Sequence, residues 1–374
     1  MINTFNVPKY LAHELNNNCI VISNKKFARD DFEILTVQYK KEMIIKNTCF
    51  PDNVVLSKNL PVSLEKLEIS NSLVSNIVFD NVDERAIALK ELYLQKNNIV
   101  SFTFDTSYLS VLTHLDLSHN NLETFDFPQT LIHINISHNK LQSIKLLPKS
   151  LEFLDASYNR LGGIPTIFKT DLKNVNLSHN HISSCTIYDK LENLDLSYNL
   201  IKHMPKVTAA HLKLNNCAIR DTLYIRDDDI QTLDVSNNEI LQLVIISRSL
   251  TNLSITNNTR LWSLPNSVNL KNLDISGSDM KETEINAYKI RYPHIQLVNN
   301  PTNSHTHQIK RSIHVNHRLE RIEKLREKQQ QYGHGYGHEY YNKKYDEVIF
   351  KPLPTYDTFN RSPNVIKLVG QIII

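Results

Sequence analysis

Asparagine recurs along this chain at intervals of 18 to 23 residues, each time near the end of the same short apolar phrase. Cysteine takes the place of asparagine once in this series, at Cys217. Self-similarity sustained at such a period indicates a solenoid, in which each repeat packs only against its neighbours. The asparagines of this series are Asn97, Asn120, Asn139, Asn159, Asn180, Asn199, Asn238 and Asn258.

The phrase has the form L-x-x-L-x-L-x-x-N-x-L and is plainest at residues 112–122, 151–161 and 191–201. Leu115 and Leu117 alternate with polar residues, as in a short strand that turns both leucines to one face. One such unit cannot bury its leucines alone, so about eleven of them are expected to stack into one continuous core.

Each asparagine stands where the chain leaves the predicted strand and turns. A short carboxamide can both donate to and accept from the backbone groups that a buried turn leaves unpaired. Each such group would otherwise cost about 1–3 kcal/mol. The repetition therefore predicts a structural role for these asparagines and no catalytic one.

The two ends of the array depart from the pattern, as terminal repeats do. Ser72 and Ser278 occupy the asparagine position there. One extra residue between Asn258 and Leu261 predicts a local bulge. Residues 294–300 are predicted to form a last half-repeat.

These motifs resemble the leucine-rich repeat family over residues 60 to 300. The resemblance implies a solenoid of the α/β repeat class with a curved parallel β-sheet on its concave face. Because the repeats are short, the convex face is expected to hold turns and 3₁₀ segments. The strings FPQTL, LLPKSL and LPVSL are similar to proline-bearing repeats of bacterial intracellular effectors. Some of those effectors carry a ubiquitin-ligase domain with a catalytic cysteine after the solenoid, but no cysteine follows Cys217 here.

Four segments are predicted. Residues 1–60 form a cap, which is favoured, or degenerate repeats; within them CIVIS (19–23) and FEILTVQY (32–39) are expected to be strands. Residues 61–300 form the solenoid, and residues 301–331 form a basic polar helix. Residues 332–374 are a low-complexity, mostly disordered tail.

Composition favours an intracellular, cytoplasmic protein. The four cysteines show no paired spacing, no basic region followed by an apolar run opens the chain, and no run approaches the length of a membrane span. Low glycine with high asparagine, lysine and isoleucine is typical of AT-rich genomes and similar to proteins of amoebae or of large viruses that infect them. In the viral case the host cytoplasm is expected. A net charge of +3 argues against nucleic-acid binding by the whole molecule, and a monomer is favoured.

Two columns of residues on the concave face are the predicted partner-binding surface, because equivalent residues of successive repeats line up about 4.8 Å apart. Tyrosine and histidine are short, stiff side chains that bind protein partners at low entropic cost. The alternative is that DLSHN and DLSYN are only the repeats' consensus. The first column contains Asp116, Asn135, Asp155, Asn176 and Asp195, and the second contains His119, His138, Tyr158, His179 and Tyr198.

No catalytic, cofactor or metal site is predicted. The chain lacks a phosphate-binding glycine loop, an H-E-x-x-H motif and a G-x-S-x-G motif. The aligned histidines lie on separate repeats with Tyr158 between them, which does not suit a tetrahedral zinc site.

Two functions therefore stay open. The first is a protein-binding scaffold or adaptor without enzymatic activity. The second is an RNA- or membrane-surface-associated protein that acts through residues 309–328, where seven basic residues face three acidic ones.

Overall fold

The computed structural model describes residues 14–15, 19–23, 41–48, 54–55, 60, 62–79, 87–104, 109–163, 170–226, 229–266 and 269–299. Within these ranges the chain forms twenty strands and one helix. The predicted basic helix and tail, residues 301–374, lie outside the described residues.

Fifteen strands form one sheet, which is parallel except where its first strand meets its second. Each repeat contributes one short strand, so neighbouring strands are separated by the rest of a repeat. In order across the sheet, these strands are β1 (Glu14–Leu15), β2 (Cys19–Ser23), β3 (Glu42–Lys46), β5 (Lys66–Ser70), β7 (Glu91–Tyr93), β9 (His114–Asp116), β10 (His133–Asn135), β11 (Phe153–Asp155), β12 (Asn174–Asn176), β13 (Thr186–Asp195), β14 (Lys206–Lys213), β16 (Thr232–Asp234), β18 (Asn252–Ser254), β19 (Asn272–Asp274) and β20 (Gln296–Val298).

The register of this sheet places apolar residue beside apolar residue from one repeat to the next. Leu115 pairs with Ile134, and Ile134 pairs with Leu154. All three side chains are almost fully buried, as is Leu117 one position beyond its strand. The predicted solenoid with one continuous core is confirmed.

The opposite side of the repeats is built from turns and short extended segments. Two small parallel sheets form there, one from β4 (Val54–Val55), β6 (Asn76–Phe79) and β8 (Ser101–Phe104), the other from β15 (Arg220–Ile225) and β17 (Glu239–Ile245). The expected 3₁₀ segments are absent from the part of the chain that the structure describes. Strand pairing satisfies backbone groups that a 3₁₀ turn would otherwise satisfy internally.

The first described strands continue the main sheet. CIVIS is strand β2, as predicted, and β2 pairs in parallel with β3, which pairs in parallel with β5. Met43 and Ile45 are fully buried, like the strand residues of later repeats. Whether residues 1–60 as a whole form a cap or degenerate repeats stays a prediction. The strand predicted at residues 32–39 lies outside the described residues.

The last repeat holds the helix, α1 (Glu282–Arg291), which the sequence analysis did not predict. Ile285 and Tyr288 are buried beneath it, and the Tyr288 hydroxyl donates to the Pro265 carbonyl at 3.0 Å. The extra residue before Leu261 does not produce the bulge that was predicted. A turn absorbs it, with the Leu261 N–H bonded to the Asn258 carbonyl at 3.1 Å, while β18 keeps regular pairing on both sides.

The asparagine ladder joins each repeat to the one before it. The Asn159 amide donates to the Ile136 carbonyl of the preceding repeat at 2.9 Å and to the Ala156 carbonyl of its own at 3.1 Å. Its oxygen accepts the Leu141 N–H of the preceding repeat at 3.0 Å. The same pattern recurs at Asn120, Asn139, Asn180, Asn199, Asn238 and Asn258, and Asn97 makes equivalent bonds.

Cysteine at position 217 keeps part of this pattern. Its thiol donates to the Leu196 carbonyl of the preceding repeat at 3.4 Å. Burial raises the pKa of Cys217 to about 12, and that of nearby Cys185 to about 12 as well. Both thiols are therefore held in their neutral, donating form.

Replacing Asn159 with alanine is expected to lower the free energy of unfolding by about 1–3 kcal/mol, because the buried carbonyls and N–H around it lose their partner. The exposed neighbour of another ladder residue gives a control: Asn98→Ala is expected to change stability by less than about 0.5 kcal/mol. Urea unfolding of both variants measures this. Equal losses would show that the ladder bonds do not stabilise the fold.

Candidate functional site

One predicted column lies on the solvent-facing side of the main sheet, at the last residue of strands β9 to β19. We call it the acid column; it comprises Asp116, Asn135, Asp155, Asn176, Asp195, Lys213, Asp234, Ser254 and Asp274. The register pairs each member directly with the next, from Asp116 with Asn135 to Ser254 with Asp274. All five residues predicted for this column are brought together, half-buried between the strands.

The acid column also has a structural role. The Asp116 Oδ1 atom accepts the Ser118 N–H at 2.8 Å, and the Asn135 Oδ1 atom accepts the Ser137 N–H at 3.1 Å. Aspartate and asparagine side chains commonly close a turn in this way. The alternative that these residues are only the consensus of the repeat therefore explains one oxygen of each of these two side chains. The bond that closes the turn does not require a charge, because the amide oxygen of Asn135 accepts it as the carboxylate of Asp116 does.

Asp116, Asp155 and Asp195 each use their other oxygen to bind the next member of the acid column. The Asn135 amide donates to Asp116 Oδ2 at 3.4 Å, and the Asn176 amide donates to Asp155 Oδ2 at 3.1 Å. Lys213 forms an ion pair with Asp195 at 3.3 Å. A donor thus separates each carboxylate from the next one, which avoids direct repulsion between equal charges.

The second predicted column lies in the turns that follow the strands. We call it the ring column; it comprises His119, His138, Tyr158, His179 and Tyr198. Their backbone φ angles lie between 53° and 56°, the left-handed region that bulky residues rarely adopt. Asn216, Asn237 and Asn257 continue the same position with φ of 55° to 56°.

The five rings form one continuous stack. Successive centroids are 4.0 to 4.1 Å apart, and successive planes differ by 9° to 12°. The left-handed backbone costs about 1–2 kcal/mol per residue, and each ring pair offsets about 0.5–1.5 kcal/mol of it. Tyr158 remains 45% exposed and Tyr198 38% exposed, so the stack is open to a partner.

A third group of rings was missed by the sequence reasoning. His114, His133 and Phe153 open strands β9, β10 and β11, and their rings also stack, with centroids 5.1 and 4.7 Å apart. The sequence contains the pattern that predicts this stack, because each of these rings directly precedes the central apolar residue of its repeat. The acid column therefore lies between two sets of rings along these three strands.

Two imidazoles in these stacks have pKa values below the ordinary value of 6.5. Burial lowers the pKa of His138, and the adjacent His119 lowers it further. Burial and the adjacent His114 lower the pKa of His133 in the same way. Both rings are accordingly neutral at pH 7.

Among the described residues, no three histidine, cysteine, aspartate or glutamate side chains come together as metal ligands would. The described part of the chain contains no helix of the length and apolarity that crossing a membrane requires.

The family model for the leucine-rich repeat matches residues 111–131 and 150–170. Rat osteomodulin is 29% identical over 201 residues, which cover 49% of this chain and 43% of osteomodulin. Human lumican is 29% identical over 254 residues, which cover 61% of this chain and 68% of lumican. Against osteomodulin and podocan-like protein 1, this chain spans about two fifths of the relative's length.

Two solved structures show the same fold at low sequence identity. The leucine-rich repeat domain of APL1B has a TM-score of 0.57 and 19% identity, over 79% of this chain and 90% of that domain. YopM, a leucine-rich effector protein from Yersinia pestis, has a TM-score of 0.51 and 19% identity, over 70% of this chain and 78% of YopM. The chain therefore has the leucine-rich repeat fold, and two of its repeats match the leucine-rich repeat family model.

Proposed function

We propose that this protein is a scaffold or adaptor without enzymatic activity, which binds a partner protein across the acid column and the ring column. The observation that carries the proposal is the unbroken stack of five rings beside the acid column on five consecutive repeats. Equivalent turns later in the array carry asparagine, which would satisfy the same backbone conformation without a ring. The backbone conformation of the turn therefore does not explain why rings occupy these five positions.

The physical case rests on how protein interfaces gain affinity. Aromatic side chains lose little conformational entropy on binding, and rings already fixed in a stack lose less still. The adjacent carboxylates and amides add direction through hydrogen bonds. Such a surface combines a rigid apolar patch with polar groups, which is how binding hot spots are built.

A variant with all five ring-column residues changed to asparagine tests the proposal. Asparagine suits the left-handed turn, as Asn216, Asn237 and Asn257 show, so the repeats should remain folded. We expect a partner protein that the intact chain captures from lysate of the source cells to be lost with this variant. Circular dichroism and thermal unfolding verify that the fold persists.

A matched control removes aromatic side chains elsewhere. Tyr224 and Trp262 are 48% and 61% exposed and lie outside both columns. A variant with Tyr224→Asn and Trp262→Asn is expected to capture the partner as the intact chain does. Undiminished capture by the ring-column variant would contradict the proposal.

The RNA- or membrane-surface alternative depends on residues 309–328, which lie outside the described residues. A third bait that ends at Pro301 separates the two functions. Capture by this shortened chain is expected under the present proposal. If the shortened chain does not capture the partner while the ring-column variant still does, the RNA- or membrane-surface function is favoured.

The ring column also predicts a dependence of stability on pH. Because the pKa of His138 is lowered on folding, the unfolded chain binds a proton more readily than the folded one. The contribution of the neutral His138 ring to the free energy of unfolding is therefore fully present above about pH 6.5 and falls as the pH drops below that value.

His138→Tyr keeps a ring of the kind found at Tyr158 and removes this titration. Chemical unfolding at pH 7 and pH 5 should show a smaller loss for the variant than for the native chain; equal losses would contradict the account.

We also propose that the protein works in a reducing, cytoplasmic compartment. The thiol of Cys217 supports this, because it donates a hydrogen bond at a position of the ladder and could not do so in a disulfide. Cys185 and Cys217 should resist a thiol reagent in the folded protein and react with it after unfolding without a reductant. Failure to react after unfolding would indicate oxidation and overturn the assignment.

A further inference from the structure

The sheet face between β9 and β19 carries an unbalanced charge. Its acid column has five carboxylates and one ammonium, a surplus of four negative charges, although the whole chain has a net charge of +3. The residues two positions before the members of the acid column carry no formal charge when the imidazoles are neutral: His114, His133, Phe153, Asn174, Asn193, His211, Thr232, Asn252 and Asn272. Within this described face, only the carboxylate of Asp195 has an ion pair.

The earlier repeats of the same sheet differ. Glu68 is paired with Lys46 at 3.0 Å, and Glu91 with Lys66 at 3.7 Å. The chain therefore neutralises these acids on this face in its first repeats, whereas in the later repeats Asp195 alone among the carboxylates of the acid column has a cation beside it. A surface with such a charge attracts and orients a partner of opposite charge.

The carboxylates also have a regular spacing. They occupy every second repeat, at Asp116, Asp155, Asp195, Asp234 and Asp274, with an amide, a lysine or a serine between them. Neighbouring strands lie about 4.8 Å apart, so successive carboxylates are about 9.6 Å apart. The intervening amides and the serine contribute no charge, and Lys213, between Asp195 and Asp234, interrupts the negative period once.

One cation on this face shows how an ammonium group binds there. Lys213 takes the place of an amide in the acid column and reaches Asp195 Oδ2 at 3.3 Å, while Asp195 Oδ1 still accepts the Ser197 N–H at 3.0 Å. The carboxylate thus closes its turn with one oxygen and binds a cation with the other. A carboxylate has about four acceptor sites, so Asp116 and Asp155 have the same capacity.

The distance between successive carboxylates of the acid column indicates which backbone conformation a basic segment of a partner would need. In a polyproline II helix every third residue returns to the same face after about 9.3 Å. In a β-strand, residues on one face are about 6.6–6.8 Å apart, which does not match a step of about 9.6 Å. The polyproline conformation is also fixed before binding when proline is abundant, which lowers the entropic cost.

We propose that the acid column binds an extended, proline-rich segment of a partner protein that carries lysine or arginine at every third residue. This inference rests on the proposed function and specifies the chemistry of the partner. The cations of the segment meet the carboxylates of every second repeat, where Asp195 is shared with Lys213. The two intervening residues of the segment cross the amide, lysine or serine between these carboxylates.

Fluorescence anisotropy of the full chain with synthetic peptides tests the spacing. The first peptide is (Lys-Pro-Pro)5, and the second has the same composition with its five lysines in one block. We expect the periodic peptide to bind about fivefold or more tightly than the block peptide at low ionic strength. Equal or tighter binding of the block peptide would overturn the proposed spacing, because it would show attraction by net charge alone.

A triple variant, Asp116→Asn, Asp155→Asn and Asp195→Asn, tests the site. Asn135 and Asn176 show that asparagine closes the same turn in the same column, so the fold is expected to persist. The Kd for the periodic peptide should rise about tenfold or more. A charge-matched control, Glu123→Gln, Asp126→Asn and Asp279→Asn, changes exposed acids in turns beyond the ladder and should leave the Kd within about twofold.

The outcomes distinguish this inference from the proposed function. If the two triple variants weaken binding equally, or if the periodic peptide does not bind, the basic partner is overturned. In that case the proposed function still stands as long as the ring-column variant loses the partner captured from lysate. If the ring-column variant captures the partner undiminished, the proposed function is overturned together with the basic partner.

Discussion

The fold depends on a buried carboxamide that bonds to two repeats at once. Asn139 donates to Leu117 of the preceding repeat and to Ile136 of its own, and it accepts from Leu122 of the preceding repeat. A side chain that both donates and accepts can fix the step and the register between repeats together. A hydroxyl or a thiol does this less completely. Ser72 takes the ladder position before the first asparagine of the series, and Cys217 takes it where the spacing is shortest.

The two candidate binding columns follow from that constraint. Because every turn before a ladder residue repeats the same left-handed backbone, the side chains of those turns are brought into one line. The rings then stack at 4.0 Å, somewhat closer than the about 4.8 Å between strands, and partly offset the cost of the turn. The acid column likewise combines two roles, since one oxygen of Asp155 closes a turn while the other contacts the next repeat.

Much of this arrangement could be predicted from the sequence, since leucine and asparagine recur with little variation between residues 89 and 275. The acid column was predicted because alternation within Leu115–Leu117 determines which side chain faces solvent. The place of the ring column could not be inferred in this way, because a left-handed turn depends on the backbone between two buried anchors and not on a side-chain pattern. Strand β3 was missed as a repeat because Thr48, and not asparagine, follows its apolar residues.

Helix α1 was missed for a different reason. Ile285, Tyr288 and Tyr292 have helical spacing, and acidic residues in the first turn with basic ones in the last favour a helix. The expectation of short, helix-free repeats outweighed these signals. The step from Asn272 to its pairing partner Gln296 is 24 residues, longer than the steps of 18 to 21 residues between His114 and Asn272, and the helix fits in the added length.

Residue-resolved hydrogen exchange tests the central claim most directly, because it reports on the ladder bonds without changing the chain. The amides of Leu122, Leu141, Leu161 and Ile182 donate to ladder asparagines from turns outside the main sheet. They should exchange within about tenfold of the rate of a core strand amide, through the same global opening. Exchange at the rate of exposed turn amides would show that the asparagine ladder does not hold the repeats together.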